Sequence, residues 1–180
     1  EDFKCKKIAV ESLKHFVSKE ALNIDGFGKK IVEQFWELKF IKYPFDVFNL
    51  DYKKISNLDG WGDLSVKNLR NSIEKAKFIK LEKFIFSLGI RHIGQENAKL
   101  IAEKIKKANS FFDLKNKNLI KELISIDGIG ETQINSLLNF FSNSINLMVI
   151  EKLIKVLNIQ DYNSAHIKGK LNKKTFMFTG

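Results

Sequence analysis

Apolar residues return along this chain at helical spacing, in short blocks separated by polar breaks. From about Lys6 to Ser18 the pattern predicts a helix whose inner face is Ile8, Leu13, Phe16 and Val17. Another helix opens at Lys29 and carries Ile31, Val32, Phe35, Trp36 and Leu38 to about Lys39. Pro44 marks a connector into a short helix near Asp46–Leu50, and Asp51 followed by Tyr-Lys-Lys-Ile starts the next helix. After Gly62, Leu64, Val66, Leu69 and Ile73 continue a helix to about Lys77, followed by a short apolar helix from Leu81 that Gly89 closes. Asn97 to about Lys106 is helical, Ser110 is placed to cap a short turn through Phe111, Phe112 and Leu114, and Asn118 to Ile124 forms a further segment. The helix holding Ile134, Leu137, Leu138, Phe140 and Phe141 and one spanning roughly Ser144 to Leu157 complete the set. Residues 158–172 turn polar as a linker would, and Lys174–Thr179 alternates as a single strand.

The breaks between these helices repeat. Ile24-Asp25-Gly26-Phe27-Gly28 returns as Leu58-Asp59-Gly60-Trp61-Gly62, as Ile90-Arg91-His92-Ile93-Gly94 and as Ile126-Asp127-Gly128-Ile129-Gly130. The steps between copies are 34, 32 and 36 residues, a period that marks a supersecondary repeat. Seven of the ten glycines lie in these four places, so the repeat and not general flexibility explains their use. Glycine gives a turn its positive φ or lets a bulky group approach the main chain. The residue between the glycines (Phe27, Trp61, Ile93, Ile129) is expected to turn inward and pin the bend. The helix that follows starts with unpaired N–H groups at its positive dipole end, which suits an anion. This is the helix-hairpin-helix arrangement. One copy would be explained by ordinary helix termination; four at near-constant spacing point to a phosphodiester backbone.

Charge moves the picture the same way. The chain carries a formal +10 with a pI near 9.5, which favours a polyanion. Only Arg70 and Arg91 among 31 basic residues are arginine, and lysine suits point-charge contact with phosphate better than bidentate base reading. One cysteine, Cys5, excludes an internal disulfide framework and fits a reducing, cytoplasmic setting. By the burial habits of cysteine it is an ordinary, partly buried thiol. No apolar run approaches a membrane span, and the N-terminus has no signal-peptide pattern. Glu1 in place of Met, and Gly180 just after a strand-like run, give both ends the look of cuts in a longer protein.

Catalytic groupings do not suggest themselves. His15, His92 and His166 are dispersed, and two residues before the aspartates of the three Asp-Gly pairs stand Asn23, Asn57 and Ser125. A lysyl-nucleotide adduct needs a lysine there, so these aspartates are expected to shape turns or cap helices. The chain reads as all-α, four hairpin repeats in two paired units, with a truncated terminal strand. The nominated contacts are the amides around Gly26, Gly28, Gly60, Gly62, Gly94, Gly128 and Gly130, with Lys29, Lys30, Lys67 and Thr132 as side-chain partners. His92, which replaces a glycine, is expected to be solvated or to cap.

Three stretches resemble the middle-to-C-terminal part of bacterial NAD-dependent DNA ligases. They are Cys5 with Glu11–Gly28, Phe84–Gly94, and the terminal Lys174–Gly180, which is similar to the opening strand of a BRCT domain. The resemblance implies the end of a zinc finger at residues 1–5, a helix-hairpin-helix domain at 6–158, a linker at 159–172 and the first BRCT strand at 173–180. It places Cys5 as the fourth zinc ligand, its three companions lying upstream. It implies NAD, Mg²⁺ and Zn²⁺ for the whole enzyme, none of them for this segment alone. The implied partners are nicked double-stranded DNA and the remaining ligase domains in cis, with no membrane. The segment departs from the family at Lys19 and Leu22, where Arg and Met are expected, at Leu64, where a lysine is commoner, and at His92. Two other readings stand beside this one: a helix-hairpin-helix module of a different repair protein, and a protein-interaction scaffold.

Overall fold

The computed structural model describes residues 2–163, with side chains from Cys5 onward. Among the described residues ten α-helices follow one another: α1 Asp2–Val17, α2 Lys29–Glu37, α3 Tyr52–Ser56, α4 Asp63–Ala76, α5 Leu81–Ser87, α6 Gln95–Ile105, α7 Ala108–Asp113, α8 Lys117–Glu122, α9 Glu131–Ser142 and α10 Ser144–Val156. The all-α class holds. Each repeat is a helix pair closed by its bend: α1 with α2, α3 with α4, α5 with α6, and α8 with α9. The Pro44 connector is a 3-10 turn, Pro44–Phe48, on which α10 packs, with the Lys152 ammonium 4.5 Å over the Phe45 ring.

One hydrophobic core runs through all four pairs. Its first half is aromatic. The Phe27 and Phe35 rings meet edge-on at 5.5 Å, and Trp61 of the second bend lies 5.6 Å from Phe35 of the first pair. Such contacts add about 0.5–1.5 kcal/mol each to simple burial. In the second half, Phe111 joins Phe84 at 5.8 Å and Phe141 at 5.3 Å. His15 links the halves: its Nε2 lies 2.7 Å from the Phe86 carbonyl and its ring stands edge-on to Phe86 at 4.7 Å, so α1 is tied to α5.

Several expectations are corrected. Ile8 is 62 % exposed, and Val10 instead joins Leu13, Phe16 and Val17 in the core. Cys5 is exposed, not partly buried. Ser110 does not start the turn near Phe111; α7 begins two residues earlier, after Lys107, because the Asp161 carboxylate accepts from the Ala108 N–H at 2.8 Å. The polar stretch from Asn158 also begins differently. Residues Asn158–Gln160 (β2) pair in parallel with Phe78–Lys80 (β1), Ile79 and Ile159 lying side by side. The Tyr162 N–H then donates to the Lys106 carbonyl at 2.7 Å. Lys106 sits at φ +61, ψ −43 and the Lys107 N–H reaches the Ile105 carbonyl at 2.7 Å, a strained γ-turn that ends α6. The segment expected as a linker therefore starts as a strap clipped across two helices. Its remainder, and the strand expected at 173–180, lie outside the described residues.

Candidate nucleic-acid interface

All four bends share one backbone plan. The N–H of the residue between the glycine positions donates to the carbonyl three residues earlier: Phe27 to Ile24, Trp61 to Leu58, Ile93 to Ile90 and Ile129 to Ile126, at 3.0–3.2 Å. The third position of each turn has positive φ, +78 at Gly26, +82 at Gly60, +63 at His92 and +97 at Gly128. That is the signature of a type II turn, which favours glycine at this place. His92 adopts the same conformation, so the third bend keeps its shape, and the Asn97 amide holds the His92 carbonyl at 3.0 Å. The second glycine is different. Gly28, Gly62, Gly94 and Gly130 are extended and stand at the N-cap of the following helix. Any residue can adopt that backbone.

Space then becomes informative. A Cβ built on Gly28, Gly62 or Gly94 would meet nothing within 4 Å, and one on Gly130 would meet only the tip of Gln133. Neither torsion nor internal packing demands glycine at these four positions. They are exposed, as are Gly26, Gly60, Gly128 and His92. The residues between them turn inward as expected for Phe27, Ile93 and Ile129; Trp61 is half-buried. Each bend thus turns the start of its helix outward beneath an exposed N-cap position without a Cβ, and in three of the four the preceding turn position lacks one too, His92 being the exception.

The bends come in pairs. Gly26, Ile31 and Gln34 of the first face Asp59, Gly60, Trp61 and Ser65 of the second across a shared groove. In the other half, α6 of the third repeat leans on the fourth bend, where a Cβ on Gly128 would lie 3.0 Å from Leu100 Cδ1.

The nominated side chains Lys29, Lys30, Lys67 and Thr132 are all exposed, but the bends differ in charge and capping. The first helical turn after Gly28 carries Lys29 and Lys30 and no acid, and the Gly28 N–H has no partner among the described residues. After Gly62 come Asp63 and Leu64, and the Ser65 hydroxyl accepts from the Gly62 N–H at 2.9 Å. After Gly130 comes Glu131, with the Gln133 side chain accepting from the Gly130 N–H at 2.9 Å. The third bend has Arg91 where the other three have aspartate. Arg91 was not nominated; the aligned repeats could have found it, because within the five-residue motif its position alone is charged in every copy and the sign reverses there. The capping Ser65 and Gln133 were also legible, three residues after a glycine N-cap.

Beside the first bend, Lys14 of α1 bonds to Glu33 of α2 at 2.6 Å and to Glu11 at 3.1 Å, and Lys6 pairs with Glu37. The hydrogen bonds that the Lys14 ammonium donates to Glu33 and Glu11 raise its pKa, and the bond it donates to Glu33 lowers that of Glu33. These pairs fix α1 against α2 behind the bend. Among the described residues no group of three or more His, Cys, Asp or Glu side chains could hold a metal. No helix among them is long and apolar enough to cross a membrane.

Repeated glycine-pinched type II turns, each opening a helix, define a helix-hairpin-helix protein, and the Helix-hairpin-helix motif family matches residues 83–150. Across its whole length the chain is 59 % identical to DNA ligase of Pelagibacter ubique (strain HTCC1062), of which it covers 27 %. It is 40 % identical, over 94 % of the chain, to the DNA ligases of Rickettsia bellii (strain OSU 85-389) and Rickettsia canadensis (strain McKiel), covering 26 % of each. The chain is homologous throughout to a segment of the DNA ligases, and it spans about a quarter of the length of these relatives.

Proposed function

We propose that this chain is the duplex-holding segment of an NAD-dependent DNA ligase that seals nicks in replication and repair. The paired bends straddle a minor groove and present main-chain amides and lysines to both phosphate backbones. Such contacts set position without reading bases, as an enzyme acting at any sequence requires. The observation that carries the reading is the set of exposed N-cap glycines that neither backbone torsion nor internal packing needs. A phosphodiester arriving from outside gives them a reason. Homology to DNA ligases along the whole chain favours this role over a module of another repair protein.

Bond making belongs to the rest of such an enzyme, together with NAD and Mg²⁺; this segment contributes grip. The exposed thiol of Cys5 suits a ligand lent to a zinc held mainly by preceding sequence.

Fluorescence anisotropy of a labelled 20-bp duplex titrated with the chain across a salt series tests the reading. If about four to six phosphates are neutralised, log K against log salt falls with a slope of roughly −4 to −5, alike for unrelated sequences. Weak binding that does not change with salt would leave a protein-interaction scaffold instead.

A further inference from the structure

The second bend is built unlike the first. Leu64 occupies the helix position that Lys30 holds after the first bend and Thr132 after the fourth. Its side chain is 72 % exposed, more than any other large apolar residue described, including Ile8 at 62 % and Phe78 at 64 %. Around it the means of holding a phosphate are weakened. Asp59 and Asp63 flank Gly62, and the Ser65 hydroxyl already takes the Gly62 N–H. Yet the first and second bends share a groove lined by Gly26, Gly60 and Ser65, the chain neighbour of Leu64, and the space over Gly62 is open, so a duplex that spans both bends meets this helix-opening turn.

Between its two phosphate rails a minor groove is walled by deoxyribose C–H groups, an apolar surface that an aliphatic side chain can cover. Apolar side chains are a recurring device of minor-groove binders. We propose that the first pair divides its labour: the first bend holds phosphate, while Leu64 of the second packs on the deoxyribose wall of the minor groove in a salt-independent contact. This rests on the duplex-binding reading above.

The test is the same salt series with Leu64→Ala, Leu64→Lys and Lys30→Ala, folding being checked by circular dichroism. Both positions are exposed, so the three variants should retain the wild-type helical spectrum. Leu64→Ala is expected to weaken binding roughly fivefold at every salt concentration, with the slope unchanged. Lys30→Ala should make the slope shallower by about 0.9, and Leu64→Lys should make it steeper by a similar amount, since the added ammonium lies between two phosphate rails. Wild-type affinity in Leu64→Ala, or a loss that comes with a changed slope, overturns the proposal while leaving duplex binding intact. Absence of salt-dependent duplex binding by the wild-type chain would remove both this proposal and the reading beneath it.

Discussion

The two halves of the molecule use the same bend for different ends. In the first half, the bends at Gly26 and Gly60 have open space where a Cβ would stand, and their packing is done by Phe27, Phe35 and Trp61. In the second, His92 takes the strained position of one bend, while Gly128 at the other is pressed by Leu100. The same residue type in the same motif is thus required by the core at one end and left free by it at the other. Glycine in a repeat has no single meaning; the neighbouring atoms decide.

The sharpest break in that comparison is Gly128→Val. The new side chain meets Leu100 at 3.0 Å on a backbone at φ +97, so overpacking and left-handed strain add to roughly 3 kcal/mol or more. A thermal melt should show a fall of roughly 6–12 °C or more; an unchanged melt would mean that Leu100 moves aside freely. Gly28→Val is the counterpart. At φ −74 with nothing within 4 Å, it should lose only about 1 kcal/mol of stability through a poorer N-cap. Duplex affinity should nevertheless fall roughly tenfold or more, as a branched side chain blocks the approach to the amides. Loss of helicity in that variant would show the glycine to be structural after all.

The ion pair behind the first bend gives a smaller, pH-dependent effect. The Glu33 pKa is lowered from 4.5, so its stabilisation is present above the unfolded value and disappears as pH falls through the folded one. The Lys14 pKa is raised from 10.5, so its share is present below the unfolded value and is lost as pH climbs past the folded one. Glu33→Gln should therefore melt below the wild type at neutral pH, and the two melting curves should converge in acid. A gap that persists at pH 3 would assign the difference to packing. The smallest change is expected from His92→Gly. Relief of a left-handed side chain and the greater freedom of glycine in the unfolded state nearly cancel, leaving stability within about 1 kcal/mol as measured by denaturant titration.

What could be read from the residues follows the range of the interactions. The helices and bends were legible because apolar periodicity and the Gly-x-Gly signal are local. His92 shows the limit of reading by residue type. It breaks the glycine pattern without breaking the turn, since the backbone plan is held by the Ile93–Ile90 hydrogen bond and the Asn97 amide. Ile8 shows another: helical spacing placed it inward, but whether a face is covered depends on what α1 meets elsewhere. The β1–β2 pairing joins residues 80 positions apart through three-residue segments, too short to carry an alternating pattern. At the candidate interface every nominated position is exposed, yet the contrast in capping between Gly28 and Gly62 emerges only when Ser65 is seen to fold back onto the turn.

The strap at residues 158–162 has a consequence for how this domain hands its chain onward. By bonding Tyr162 to Lys106, it anchors the outgoing polypeptide at the far end of α6 from Gly94, about 16 Å along an eleven-residue helix. The described chain thus finishes against the end of α6 opposite the third bend, so α6 separates the strap from that bend.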